Sequence, residues 1–407
     1  MFEAMEIIPL EELRSRWERL RNILMKMQPE SRGIMLLSRV HIYWASGHFG
    51  SGVFWLPLEG EPFLFIRKGI ERARIESPIK NILPYRSYSD IKAHLLDGGA
   101  PLPEVFSVEM GGISWSLGLL FNRKFSSHTL LSGDEVISRA RSVKSPWEIE
   151  KLSLAGKRHF EGIYKRTPHG IRPLMSEREM AIVIFNIFFD LGHCGVIRMQ
   201  GMGEELFMGH VCAGDSGNYP TCFNGPVGAR GIHPAIPHFG YAGKIWKPGE
   251  VLMVDTVFSL EGYLTDKSQV FFAGKESQLP EEVRRAQETC LEIQSQCASM
   301  LRPGNTPSDL YLFAIEKAKK EGIEDGFMGI GGNKVPFIGH GIGLYLDEWP
   351  PIARGFNEPL EENMVIALEP KVGIEGIGMV GVENTFVVTP EGGRSLTGDR
   401  FDIICVE

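Results

Sequence analysis

No stretch of this 407-residue chain limits its possible folds more than residues 249–272, GEVLMVDTVFSLEGYLTDKSQVFF. Apolar and polar residues alternate in two runs, and Glu261-Gly262 separates them, which predicts two antiparallel strands joined by a two-residue turn. With that turn, Asp255 lies opposite Ser268, and Asp266 becomes its diagonal neighbour on the same face. The hairpin therefore projects two carboxylates together.

Two carboxylates at this separation repel each other unless a positive charge lies between them. A shared cation is the simplest explanation for keeping both. The alternative is that Asp255 and Asp266 are two solvent-facing strand residues. Asp is disfavoured in strands flanked by Val, Phe and Leu, which favours the cation.

Three later positions have the chemistry to complete such a site. His340 lies in FIGHGIGLYL, where the flanking glycines allow a close backbone approach to a ligand. Glu369 ends the run MVIALEP, and Glu383 interrupts GMVGVENTFVV; either alone is more often an edge-strand charge. Together the five donors predict two divalent ions, with Mn or Co favoured and Zn or Fe as alternatives. Such a pair typically holds a bridging hydroxide and polarises a carbonyl.

The residues before position 144 have the mixed pattern of a small α/β domain. Apolar residues recur at helical spacing over Leu10–Met27, and a weaker helix is predicted near Ser89–Leu96. The runs GIMLLS, GVFWLPL and PFLFIRKG are β-rich and are punctuated by Gly and Pro. We therefore predict an N-terminal α/β domain over residues 1–143, without a catalytic motif.

A long helix marks the start of the second predicted domain, residues 144–407. Ser145 is its N-cap, Pro146 lies in the first turn, and Glu148 completes a capping box. A second capping box at Ser176–Glu179 begins a helix that ends near Gly192. Strand-like segments follow to about residue 272.

The same plan of two helices followed by strands then recurs. Helices are predicted from about Glu281 to Leu301 and, after the break RPGNTP, from Thr306 to just before Gly322. Strand-like segments continue to Val388. Such a duplication lets two half-sheets face each other across a pseudo-twofold axis, with a site between them.

Composition narrows the classes of partner. The chain is 43% hydrophobic and 23% charged, as folded proteins are, and its formal charge of -8 gives no field to attract nucleic acid. The longest apolar runs are about half of a bilayer span. An acidic N-terminus without a signal-peptide pattern predicts a cytoplasmic protein, and six scattered cysteines predict reduced thiols. We expect a small-molecule or peptide substrate, and neither nucleic acid nor a membrane as partner.

At this point several segments together resemble metallopeptidase family M24, which includes Xaa-Pro dipeptidases, Xaa-Pro aminopeptidases and methionine aminopeptidases. The similar segments are RSVKSPWEIEKL, the VD...GY..D hairpin, GHGIG, MVIALEP and VENTFVVTPEG. The resemblance implies a creatinase-like N-terminal domain followed by a "pita-bread" catalytic domain. It also implies the metal ligands, which are Asp255, Asp266, His340, Glu369 and Glu383.

The resemblance implies further roles. Glu369 would also transfer the proton of the bridging water, and His238 in PAIPHF matches the family's substrate-side histidine, with His233 as a competitor. A homodimer is implied, in which the N-terminal domain shapes the pocket of its neighbour.

Three positions depart from the peptidase pattern. Asp347 stands where the family has a histidine that donates a hydrogen bond to substrate, Pro336 replaces an accessory histidine, and Gly381 replaces a common arginine. An ionised aspartate accepts hydrogen bonds but cannot donate one to a developing oxyanion. Asp347 in the pocket would instead favour a cationic substrate. The alternative is that Asp347 caps a local turn in DEWPP.

Three functions follow. The first is a dinuclear-metal peptidase acting on short peptides of the Xaa-Pro type. The second is a non-peptidase enzyme on the same fold, either a C–N hydrolase or a lyase of the dimethylsulfoniopropionate type. The third is a binding module that has lost catalysis, although the complete ligand set opposes it.

Overall fold

The structure is a computed structural model that describes residues 2–201 and 203–407. Contacts divide the chain into two compact units, Met1–Arg141 and Ser142–Glu407. The division predicted between residues 143 and 144 lies two residues further along the chain. Within the described residues, no helix is long and apolar enough to cross a membrane.

The first unit contains a mixed sheet. Its strands are β1 (Gly33–Leu36), β2 (Gly52–Pro57), β3 (Phe63–Ile66), β4 (Asn81–Pro84), β5 (Val105–Val108) and β6 (Thr129–Ser132). They lie in the order β4-β3-β2-β1-β5-β6. The β1–β2 and β2–β3 pairs are antiparallel, and the remaining pairs are parallel. A short connection joins β2 to β3, whereas the connection from β1 to β2 contains α2.

Helices connect and cover this sheet. They are α1 (Leu10–Met27), α2 (Arg39–Ser46), α3 (Ile70–Glu76), α4 (Tyr88–Asp97), α5 (Trp115–Lys124) and α6 (Asp134–Ser142). The predicted first helix has the predicted bounds, and the weaker one is α4. Trp55, Phe106 and Phe125 lie in the core between sheet and helices, with edge-on ring contacts that suit aromatic packing.

Capping residues determine where the helices of the second unit begin. These helices are α7 (Pro146–Phe160), α8 (Thr167–Gly170), α9 (Glu177–Asp190), α10 (Glu281–Met300) and α11 (Pro307–Lys320), with a π-helical stretch, Glu161–Arg166, between α7 and α8. Ser145, Ser176 and Thr306 form capping boxes at the starts of α7, α9 and α11. Each box satisfies backbone N–H groups that a helix start leaves free.

The predicted hairpin is confirmed and forms the centre of the first half-sheet. Strands β7 (Gly209–Ala213), β8 (Val251–Leu260) and β9 (Tyr263–Ala273) pair antiparallel, and β17 (Ile404–Val406) adds to β9 in parallel. Glu261 and Gly262 form the turn, both with positive φ. Strand-like segments were also expected between β7 and β8, but Pro and Gly break residues 219–250 into turns and isolated bridges.

The second half-sheet has the order β11-β10-β12-β15-β16, with a separate β13–β14 hairpin. These strands are β10 (Phe337–Gly341), β11 (Glu348–Ala353), β12 (Val365–Leu368), β13 (Lys371–Ile374), β14 (Gly378–Gly381), β15 (Asn384–Thr389) and β16 (Gly392–Ser395). Core residues of α9 pack with the first half-sheet and those of α10 and α11 with the second. The predicted duplication of helix, helix and strands is thereby confirmed.

The two half-sheets meet along β9 and the start of β15. Ser268 of β9 forms a β-bridge with Glu383, and its N–H donates to the Glu383 carbonyl at 3.2 Å. The Thr385 hydroxyl accepts from the Asp266 N–H at 2.9 Å and lies 3.0 Å from the Asp266 carbonyl oxygen. These contacts bring carboxylates from both halves to the same place.

Candidate metal centre

Asp255 and Asp266 lie on neighbouring strands in the register that the sequence predicts. Asp255 pairs with Ser268, and Asp266 pairs with Val257, so the two carboxylates are diagonal neighbours on one face. The contacts to Thr385 hold the backbone of Asp266 in place. The first half-sheet therefore supplies two carboxylates in fixed positions.

His340 reaches the same place from β10. The register of β10 with β11 shifts on both sides of His340, and such a bulge changes the direction of a side chain. Its Nδ1 lies 3.1 Å from the Gly341 carbonyl, which leaves Nε2 to face the carboxylates. The flanking glycines serve another purpose than predicted, because a Cβ at Gly339 or Gly341 would collide with a neighbouring strand's carbonyl oxygen.

Glu369 and Glu383 lie at strand ends. Glu369 follows β12, and its N–H donates to the Ile338 carbonyl at 2.9 Å. Glu383 precedes β15 and is held by its bridge to Ser268. Both side chains are buried. The structure thus brings together all five residues predicted as metal ligands.

Asp266, His340 and Glu383 each direct one ligand atom to a common position, with these atoms within 4.8 Å of one another, and Glu369 also approaches His340. Nε2 of His340 lies 3.9 Å from Asp266 Oδ2, 3.8 Å from Glu369 Oε1 and 4.0 Å from Glu383 Oε1. These separations are too long for hydrogen bonds and close to the roughly 3.4 Å between neighbouring ligands of a tetrahedral ion with bonds of about 2.1 Å. Glu383 Oε1 is buried without a hydrogen-bond partner among the described residues. One divalent ion fits here.

A lysine that the sequence reasoning missed fills the rest of the centre. Lys371, the first residue of β13, is fully buried. Its Nζ donates to Asp255 Oδ2 at 3.1 Å, Glu369 Oε2 at 3.0 Å and Glu383 Oε2 at 2.5 Å. The two predicted ions would need these same oxygens, which here accept hydrogen bonds from Lys371.

A signal for Lys371 was present in the sequence. It is a charged residue within the apolar run IALEPKVGI, two positions after Glu369. Residues two apart in an extended segment share a face. A buried lysine requires a carboxylate partner, and Glu369 was the nearest one.

The charges of the centre are unevenly distributed. Burial lowers the pKa of Lys371, but the surrounding carboxylates outweigh it and raise that pKa well above its ordinary value. Burial raises the pKa of Asp255, but the ammonium group of Lys371 and its other neighbours outweigh it and hold that pKa below its ordinary value. Burial and the neighbouring Asp255 raise the pKa of Asp266 well above its ordinary value. Burial and the neighbouring Asp266 do the same to the pKa of Glu383. Asp266 and Glu383 therefore favour the protonated form unless a further cation lies beside them.

Gly381 shapes the site from the strand opposite Lys371. The two residues are cross-strand partners in the β13–β14 hairpin. Gly381 has a φ of +133°, and a Cβ there would lie 2.6 Å from the Lys371 Cα. No side chain fits at Gly381, so the arginine of the family pattern has no place here.

A buried histidine, His210, lies beside Asp255, and a second, His238, lies near His210. His238 stacks on Phe223 with ring centroids 5.7 Å apart, and burial lowers its pKa. His210, which the sequence reasoning missed, pairs with Asp255 across β7 and β8, and burial lowers its pKa to about 4. Nδ1 of each ring has no hydrogen-bond partner among the described residues. Both rings are therefore neutral imidazoles near pH 7.

His233, the competitor of His238, is exposed. Its Nδ1 accepts a hydrogen bond from the Ala235 N–H at 3.1 Å, within a local turn. This contact stabilises the turn itself. Of the two histidines, only His238 is buried beside Phe223.

Asp347 lies in the loop between β10 and β11 and is half-buried. Its Oδ1 accepts a hydrogen bond from the Gln200 N–H at 2.7 Å, and burial raises the pKa of the carboxyl. That hydrogen bond ties the loop to the backbone at Gln200, which is far away along the chain. Pro336, just before β10, is exposed and carries no side-chain hydrogen-bond donor.

Comparisons with known proteins agree with this architecture. Residues 150–390 match metallopeptidase family M24, and residues 16–143 match the creatinase/prolidase N-terminal domain. An Xaa-Pro dipeptidase from Pyrococcus furiosus is 26% identical over 95% of this chain and 99% of its own length. One from Lactobacillus helveticus is 29% identical over 67% of this chain and 76% of its own length.

Solved structures match along almost the whole chain. An Xaa-Pro dipeptidase from Bacillus anthracis superposes with a TM-score of 0.79 at 19% identity, covering 97% of this chain and 100% of that one. An X-Pro aminopeptidase from Thermotoga maritima superposes with a TM-score of 0.74 at 23% identity, covering 96% of this chain and 99% of that one. These likenesses establish the fold, an N-terminal creatinase-like α/β domain followed by a pita-bread domain, and confirm the predicted fold class.

Proposed function

The chain belongs to metallopeptidase family M24, and we propose that it hydrolyses short peptides of the Xaa-Pro type with the help of divalent metal. The observation that carries the proposal is the cluster of Asp266, His340, Glu369 and Glu383 around one position. Mn or Co is the favoured ion, with Zn or Fe as alternatives. The proposal requires at least one ion and holds for one or two.

When bound, a divalent ion polarises a carbonyl and activates water for attack on it. Glu369 directs its two carboxylate oxygens differently. Oε2 accepts a hydrogen bond from Lys371, whereas Oε1 faces His340 Nε2. A general base must lie within reach of the proton it accepts. Oε1 is therefore the oxygen that would accept the proton of the attacking water.

His238 is proposed to contact the substrate. Burial lowers the pKa of its ring, so the imidazole is neutral near pH 7 and can donate one hydrogen bond and accept another. Its free Nδ1 and its stacking on Phe223 give it a defined orientation without a protein partner. A peptide carbonyl is a suitable acceptor.

Xaa-Pro specificity is proposed because the full-length relative from Pyrococcus furiosus is an Xaa-Pro dipeptidase. The structural relatives include both an Xaa-Pro dipeptidase and an X-Pro aminopeptidase, so dipeptides and longer peptides are both candidate substrates.

We also propose a homodimer in the cytoplasm. Light scattering of the purified chain measures the assembly, and a monomer at assay concentration would contradict it.

The test is a peptide panel on metal-stripped protein. Leu-Pro, Arg-Pro and longer peptides with proline in the second position are supplied with and without Mn²⁺ or Co²⁺. We expect cleavage before proline only with added ion, and loss of cleavage in Asp266→Ala. Asp190→Ala, which removes an exposed carboxylate at the end of α9, is the control. The peptidase proposal fails if metal-loaded protein cleaves no peptide.

A second candidate function is a reaction on a small non-peptide cation, either C–N hydrolysis or a lyase reaction of the dimethylsulfoniopropionate type. Asp347 favours it, because it replaces a hydrogen-bond donor with a carboxylate in the loop after His340. Dimethylsulfoniopropionate and creatine therefore belong in the same panel. Turnover of either, without turnover of peptides, would select this candidate; inactivity on everything would select a binding module.

A further inference from the structure

Lys371 occupies a cation position within the carboxylate cluster. We propose that its ammonium group permanently replaces one of two metal ions, so that the centre binds a single divalent ion. Asp266, His340, Glu369 and Glu383 hold that ion, and Asp255 serves the lysine instead. The inference deepens the proposed function and rests on its metal site.

The contacts of Lys371 are complete. An ammonium group has three N–H donors, and three carboxylate oxygens lie within 3.1 Å of Nζ. The side chain is fully buried, so water cannot replace any of these partners. Displacement of Lys371 by an ion would leave a buried ammonium group without partners, which is strongly unfavourable.

The two shared glutamates show that the centre has two cation positions. Glu369 and Glu383 each direct Oε2 to Lys371 and Oε1 towards His340. A carboxylate that bridges two cations divides its oxygens in this way. One of the positions contains Lys371, and the other is lined by Asp266 and His340.

The backbone around Lys371 keeps it in place. Its carbonyl accepts from the Met328 N–H at 2.9 Å, and it pairs across the hairpin with Gly381. The Gly381 N–H donates to Gln287 of α10 at 2.9 Å, which ties the opposite strand to a helix. The ammonium position is thus determined by the fold and not by a mobile side chain alone.

The experiment measures metal stoichiometry in the full-length protein. Protein stripped with a chelator and dialysed is titrated with MnCl₂ by calorimetry, and bound manganese is measured by elemental analysis and electron paramagnetic resonance. We expect close to one Mn²⁺ per chain with the spectrum of an isolated ion. A stoichiometry of two with a spin-coupled spectrum, or no binding, overturns the inference.

A variant tests the role of the ammonium group directly. Lys371→Ala frees three carboxylate oxygens and is expected to bind close to two Mn²⁺ with a spin-coupled spectrum. Lys144→Ala is the matched control, because Lys144 is also buried and pairs with one carboxylate, Glu348, at 2.9 Å. It should keep the wild-type stoichiometry. Retention of one ion in folded Lys371→Ala overturns the inference.

If Lys371→Ala does not fold, Lys371→Gln replaces it in the titration, because glutamine keeps a hydrogen-bonding side chain without charge. The wild-type spectrum also tests the inference without any variant, since it distinguishes one isolated Mn²⁺ from a spin-coupled pair. The result is separable from the proposed function. One bound ion without cleavage of any peptide refutes the peptidase and leaves this inference standing. Two bound ions with cleavage refute this inference and leave the peptidase standing.

Discussion

Replacing Lys371 with Met keeps most of the side-chain volume but removes the positive charge shared by three buried carboxylates. Removal of one partner from a buried ion pair typically destabilises a protein by about 3–5 kcal/mol. Lys371 is fully buried and has three carboxylate partners within 3.1 Å, at Asp255, Glu369 and Glu383. We therefore expect the metal-free variant to lose about 5 kcal/mol, the upper end of that range.

The assay is hydrogen exchange of the full-length protein in increasing urea, at pH 7 with a chelator. Peptides covering residues 365–395 report opening around the centre, independently of the first unit. Lys144→Met, which removes a buried lysine paired with the Glu348 carboxylate, should lose about 3 kcal/mol, the lower end of the same range. Adding Mn²⁺ should recover most of the loss in Lys371→Met, because an ion can then bind the freed oxygens.

Two results would refute this reasoning. Lys371→Met could be as stable as wild type without metal, which would mean that the carboxylates do not depend on the ammonium group. Alternatively, Mn²⁺ could stabilise Lys371→Met and Lys144→Met by the same amount. Ion binding at the lysine position would then play no part in the recovery.

Three further predictions concern single residues. Glu369→Gln should lower kcat by at least about 100-fold, since an amide cannot accept the proton of water, and wild-type turnover with metal bound would contradict this. Asp347→Asn should lower kcat/KM about tenfold for cationic substrates only. Asp347→His should raise activity on Xaa-Pro dipeptides. If both variants change only Tm, Asp347 is a turn residue without a role in substrate binding. Burial lowers the pKa of His193 from 6.5 to about 4. The folded state therefore binds fewer protons at this residue, and His193 alone should account for about 3 kcal/mol of the stability lost as pH falls from 6.5 to 4. In urea unfolding, His193→Gln should lose less stability than wild type by about that amount.

Features that depend on neighbours in sequence were predicted correctly. The β8–β9 hairpin follows from two strand-forming runs and a turn at Glu261-Gly262, and its register places Asp255 opposite Ser268 as expected. The capping boxes at Ser145 and Ser176 are equally local. Each feature involves residues that are close along the chain, so its geometry is determined before tertiary packing is known.

Features that depend on the meeting of distant strands were not predicted. His210 lies beside Asp255 only because β7 pairs with β8 across a connection of irregular structure. Gly339 and Gly341 were assigned to ligand approach, but the close packing of β10 against its neighbouring strands requires them. Sequence spacing does not reveal which strands become neighbours. It therefore could not show whether a ligand or the carbonyl group of a neighbouring strand lies close to these glycines.

Lys371 and Gly381 are ten residues apart, and nothing in the sequence links them. Gly381 stands where the family pattern commonly has an arginine, and Lys371 is a charged residue in an apolar run. The structure pairs the two residues across β13 and β14, and the backbone of Lys371 leaves no space for a side chain at Gly381. A positive charge from β13 thus accompanies the absence of one from β14. This lysine lies among the carboxylates themselves, within 3.1 Å of three of them. Its contact with them therefore bears on how many metal ions the centre holds, and not only on how substrate is bound.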